Sequence, residues 1–96
     1  MTRVRWTAPS LGDLRRIDDW LRQETSSDFA IRTLATIRFR AKFLHDFPRS
    51  GRPYRHGTRI LRVLDTPYLI HYRIIDTGQI QVLRVYHERE DWRVDP

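Results

Sequence analysis

A chain of 96 residues, 40% hydrophobic and 31% charged, has room for one domain spanning residues 1–96 with a small core of its own. No apolar run approaches the roughly 20 residues that cross a bilayer, and the opening MTRVRWTAPS lacks the apolar stretch of an export signal, so a cytoplasmic protein without a membrane partner is expected. The absence of cysteine excludes disulfides, thiolate nucleophiles and cysteine-ligated zinc, while a net charge of +6, carried by 17 arginines and Lys42, points to an anionic partner without saying which.

Residues 3–7 (RVRWT) alternate briefly and read as a short strand. Ser10 and Asp13 then form an S-x-x-D capping box that opens a helix, with Leu11, Leu14, Ile17 and Leu21 on one apolar stripe. Asp13, Asp18 and Asp19 fall in the first half of that helix and read as capping and solubilising charges at its positive end. Thr25, Ser26 and Ser27 break the helix and cap the next. In the second helix Ala30, Leu34, Ile37, Ala41 and Leu44 are spaced four, three, four, three, the signature of a packing seam. Phe47-Pro48 ends it, because the residue before proline is pushed out of the helical region.

A turn-rich loop over 49–57 leads to three strand-like runs at 58–64, 68–75 and 79–87, separated by Asp65-Thr66-Pro67 and Asp76-Thr77-Gly78. Links this short predict hairpins and an antiparallel meander. The expected fold is α+β in the order β-α-α-β-β-β, a helical hairpin packed on one face of a small, mainly antiparallel sheet.

Arg49, Arg52, Arg55, Arg59 and Arg62 lie between Pro48 and Leu64 with Tyr54, His56 and no acid. Uncompensated guanidiniums beside an aromatic ring suit an acidic ligand such as a phosphate backbone; a solvated loop with a solvated strand face is the plain alternative. Further on, Arg84, Tyr86 and His87 stand close in sequence, followed by Glu88, Arg89, Glu90, Asp91 and Trp92. Histidine moving a proton and arginine stabilising a phosphorane would cleave a phosphodiester. Strand alternation, however, sends Arg84 and Tyr86 to one face and His87 to the other, which favours a structural His87. His45, His56, His71 and His87 show no metal-ligand spacing, and no cofactor fingerprint occurs. Trp6, Trp20 and Trp92 read as core or interface anchors.

Taken together, the run PRSGRPYRHGTRILRVLDTPYLIHYRI followed by IQVLRVYHEREDW resembles the RelE/ParE toxins of type II toxin–antitoxin systems. Trp6, DLRRIDDWL in the first helix, the helix exit at 48–52, PYLIHYR at 67–73 and RVYHEREDW at 84–92 carry the likeness over nearly the whole chain. The resemblance implies a bacterial or archaeal growth inhibitor with the same element order. It also implies a cognate antitoxin whose acidic amphipathic segment silences the toxin in a hetero-oligomer.

Within that family RelE-like members cut messenger RNA on the ribosome, and ParE-like members, of the kind tied to plasmid stabilisation, poison DNA gyrase on DNA. A RelE-like chain would carry an arginine near Leu69 and a lysine-rich helix, and this chain has neither. The ParE-like branch therefore leads, with no catalytic residues. Under it Arg49, Arg52, Arg55, Arg59, Arg62, Arg73 and Arg84 are candidates for target or antitoxin contact. The ribonuclease alternative would use Arg62, Arg84 and His87.

Overall fold

The computed structural model describes residues 3–76 and 78–90. Strand β1 (Arg3–Trp6) is followed by helices α1 (Ala8–Glu24) and α2 (Ser27–Phe43), then strands β2 (Arg52–Pro53), β3 (Thr58–Arg62), β4 (Tyr68–Asp76) and β5 (Gln79–His87). The sheet runs β1-β5-β4-β3-β2, antiparallel except where β1 lies parallel to β5. This is the expected order and hand of pairing, with two additions: the two-residue edge strand β2, and a 3-10 turn at Arg55–Gly57 that brings the chain into β3.

Both helices pack on one face of the sheet. The seam residues Ala30, Leu34, Ile37, Ala41 and Leu44 are all buried, against Leu14 and Leu21 of α1 and Leu61, Tyr68, Ile70, Tyr72, Ile80, Val82 and Val85 of the strands. Ile17 packs on the edge of this core, whereas Leu11, expected on the same stripe, is 41% exposed. Trp6 leans on the core, Trp20 is 56% exposed, and Trp92 and Asp91 lie outside the described residues.

The start of α1 differs from the expected capping box. Thr7 is the N-cap, its Oγ1 accepting from the Ser10 backbone N–H, and Pro9 sits in the first turn, where its missing N–H costs nothing. Ser10 points its hydroxyl back to the Thr7 carbonyl at 2.7 Å, and Asp13 leaves the helix surface altogether. It is 2% exposed, so it neither caps nor solubilises. The second helix behaves as expected at its start, with Ser26 as N-cap, but it closes at Phe43 and Leu44, ahead of Phe47-Pro48.

The helix exit is tied to the sheet by one tyrosine. Fully buried Tyr72 donates its hydroxyl to the Pro48 carbonyl at 2.7 Å and accepts from the Gly51 N–H at 2.9 Å. A Cβ on residue 51 would fall 2.7 Å from that ring and 2.9 Å from the Ile60 carbonyl, so only glycine fits. Tyr72→Phe strands the buried Gly51 N–H, and a loss of about 1–3 kcal/mol is expected in a urea titration, the cost of one orphaned donor. Gly51→Ala should be worse, because ring and backbone must both move.

Candidate functional site

Strand alternation divides the meander's side chains between two faces. One is the core under the helices. On the other, which no helix covers among the described residues, Ile60 and Leu69 form a second, smaller apolar cluster flanked by Tyr54 and Tyr86. The register pairs Ile60 with His71, Arg62 with Leu69, and Thr58 with Arg73, which puts Arg62, Arg73 and His71 on this open face.

Strand β5 shifts its parity at a bulge. His71 pairs with Arg84 but Tyr72 pairs with Val82, so Leu83 is the extra residue. Beyond it Val85 returns to the core, Tyr86 stacks on His71 across the open face (centroids 5.9 Å apart), and His87 meets Tyr68 edge-on at 5.5 Å on the helix side. The separation of Arg84 and Tyr86 from His87 expected from alternation is what the fold shows. On the open face the rings continue from Tyr86 through His71 to Tyr54, with Arg84 over Tyr86 at one end and Arg55 over Tyr54 at the other.

Most of the arginines singled out from the sequence have assigned partners. Arg59 donates to the Gly51 carbonyl at 2.6 Å and so braces the helix exit. Arg62 meets Glu88 at 3.2 Å, and Arg73 donates to Gln81 at 2.9 Å. Arg49, Arg52 and Arg55 are exposed along the loop and β2.

Arg84 is held most firmly. Its Nε and Nη2 both lie 2.8 Å from the Asp13 carboxylate, a bidentate pair that also accepts the Val85 N–H at 2.8 Å and meets Arg16. Burial alone would push the Asp13 carboxyl up; the Arg84 hydrogen bonds, the Val85 N–H and the charges of Arg84 and Arg16 outweigh it and hold it below its ordinary 3.8.

Geometry explains why an acid belongs there. Strand β1 pairs with β5 only as far as Val82, and among the described residues no strand lies on the outer edge of β5 beyond that point. Thr7 continues the ladder by donating its N–H to the Val82 carbonyl and its hydroxyl to the Leu83 carbonyl, and Asp13 takes the Val85 N–H. Two α1-end side chains thus replace a missing strand. The sequence hint was the Thr7-Ala8-Pro9 start, which moves the N-cap forward and frees Asp13 for another task.

For acid–base cleavage this arrangement is unpromising. Burial pushes the Tyr86 phenol up despite the nearby Arg84, so it is neutral near pH 7. His87 has its Nδ1 occupied by the Arg89 N–H at 3.1 Å, on the far side of the sheet from Arg62. Among the described residues no group of three or more His, Asp or Glu could hold a metal ion.

The whole chain has known relatives. The description "ParE toxin of type II toxin-antitoxin system, parDE" matches residues 4–92. A candidate toxin of Sinorhizobium fredii, Y4kP, is 36% identical over 91 residues, covering 94% of this chain and 92% of that protein. A solved chain of the chromosomal ParDE system of P. aeruginosa superposes with a TM-score of 0.81 at 26% identity, over 91% of this chain and 96% of that one. A chain of the RelBE2 toxin–antitoxin complex of Mycobacterium tuberculosis gives 0.67 at 30% identity, over 90% and 96%. The chain belongs to the ParE toxin family of type II toxin–antitoxin systems.

Proposed function

We propose that the chain arrests growth by binding DNA gyrase on DNA and holding the cleaved intermediate, and that a cognate antitoxin with an acidic amphipathic segment silences it in a cytoplasmic hetero-oligomer. The observation that carries the choice of target is the open face at Leu69. There a buried leucine, packed with Ile60, stands where the resemblance implies an arginine in RelE-like, RNA-cleaving members. A transition-state arginine contributes several kcal/mol to cleavage, and leucine contributes none. The residues of the catalytic alternative are also spoken for: Arg62 by Glu88, Arg84 by Asp13, and His87 on the opposite side of the sheet. In this reading the exposed Arg49, Arg52, Arg55, Arg62 and Arg73 contact the target, while Arg59 and Arg84 shape the surface that presents them.

Purified chain added to gyrase, ATP and supercoiled plasmid is expected to accumulate cleaved DNA. Undiminished supercoiling of relaxed plasmid at a large excess of the chain would rule the reading out. The likeness to a RelBE chain favours one second reading, ribosome-dependent cleavage of messenger RNA. It requires programmed ribosomes to yield cut messages with the native chain, and none with Arg84→Ala or His87→Ala.

A further inference from the structure

The open face of the sheet extends past the Tyr86–His71 stack onto β1. There Val4 and Trp6 pack against the core, so Arg3 and Arg5 alternate onto the open side, and both are exposed. Register lines up one row across three strands: Arg73 of β4 opposite Gln81 of β5, and Gln81 opposite Arg5 of β1. Ile80 and Val82, on either side of Gln81, are buried, which fixes Gln81 to the same open face. The row lies four residues along β4 from Leu69, about 13 Å at the strand rise, clear of the Ile60–Leu69 cluster.

The row is a set of hydrogen-bond donors with little competing for them. Arg73 Nε donates to the Gln81 side-chain oxygen at 2.9 Å, which orients both groups and uses one donor of the guanidinium and none of the amide. Among the described residues neither Arg5 nor Arg73 stands in a salt bridge. An acid, Asp76, pairs with Gln79 and so approaches Arg3, which leaves the uncompensated charge centred on Arg5 and Arg73. Two strand spacings, about 10 Å, separate the backbones of these two arginines, and both side chains are long enough to close on one anionic chain laid between them.

The composition of the row selects its ligand. Arginine and glutamine donors with no apolar side chain among them suit phosphodiester oxygens, which accept hydrogen bonds and offer no apolar surface to bury. A protein segment would need an apolar or aromatic anchor at the centre of its contact, and the row has none. Bases are not read there either, because the neighbouring rings of Tyr86 and His71 stack on each other with Arg84 over Tyr86.

We infer that Arg5, Gln81 and Arg73 hold the phosphate backbone of DNA, whatever its sequence. The inference rests on the reading of the target as gyrase on DNA and deepens it: the chain touches the DNA of that complex, and strand β1 takes part in the contact.

The test needs no gyrase. Fluorescence anisotropy of the full chain with a short labelled DNA duplex should show binding that weakens as salt rises. Arg5→Gln with Arg73→Gln should weaken it on the order of 100-fold, two charge-assisted contacts at roughly tenfold each. The slope of log K against log salt should fall by about 1.8, the counterions of two phosphate contacts on a duplex. Arg15→Gln with Arg38→Gln removes the same charge from exposed positions on the helix side and should leave affinity close to native. All four side chains are exposed, so both double variants should melt near the native temperature.

Three results each overturn the inference: no salt-dependent binding by the native chain, native affinity after Arg5→Gln with Arg73→Gln, or an equal loss in the helix-side variant. Cleaved DNA still trapped with gyrase by the native chain would then leave the target reading standing. A clear preference for RNA of equal length over the DNA duplex overturns it as well, since the row would then serve a messenger. A native chain that binds the duplex as expected, yet leaves supercoiling of relaxed plasmid by gyrase undiminished, removes the target reading while the DNA contact stands.

Discussion

Asp13→Ala should lower the stability of this small domain by about 3 kcal/mol, the low end of the range for breaking a buried ion pair, because Arg84 keeps some access to water. The loss has two parts. Arg84 forfeits a bidentate partner, and the Val85 N–H, beyond the reach of β1 on the outer edge of β5, forfeits the carboxylate that accepts it. Asp13→Asn keeps one acceptor for Val85 and should cost less. A domain of this size has about 5–15 kcal/mol in hand, so the alanine variant should be partly unfolded in mild denaturant.

The same pair gives the domain an acid dependence. Since the folded Asp13 carboxyl lies below its ordinary 3.8, the unfolded chain takes up that proton first as pH falls. The contribution of Asp13 is therefore complete above about pH 5 and declines as pH drops through 4 toward the folded value. The melting temperature of the native chain should fall more steeply between pH 5 and pH 3 than that of Asp13→Asn, which has no proton to gain. Parallel slopes would show that the carboxylate is not held as the geometry implies.

That pair also marks where the sequence stopped being informative. Helix α2 was legible because a four-three repeat needs no partner to be recognised, and every residue of its seam is buried. Strand β5 was legible end to end, its bounds matching at Gln79–His87, because branched and aromatic residues fill it between turn signals. Asp13 was not. Three residues after a serine, its spacing fits a capping box equally well, and its real partners lie 71 and 72 positions away. Tyr72 and Gly51 escaped for the same reason, being a contact between a strand and a loop 21 residues apart. The open face was half legible. Alternation correctly split Arg84 from His87, but the bulge at Leu83 and the pairing of Arg62 with Glu88 depend on register, which no local pattern encodes.

The open face gives the sharpest functional expectation. Arg62→Glu combined with Arg73→Glu should raise the concentration of chain needed to trap cleaved DNA with gyrase by about 100-fold. Each reversal removes a charge-assisted contact worth about 1.5–3 kcal/mol, and 1.4 kcal/mol is a tenfold change in binding. Both side chains are exposed, and their present partners, Glu88 and Gln81, are surface groups whose loss costs little stability. A melting temperature close to native would therefore separate lost contact from lost fold. His87→Ala makes the contrast. Its ring lies on the helix side against Tyr68, away from Arg62 and Arg73, so trapping should persist at near-native potency. Loss of trapping in His87→Ala, with a native melt and native potency in the double reversal, would move the target contact from the open face to the end of β5.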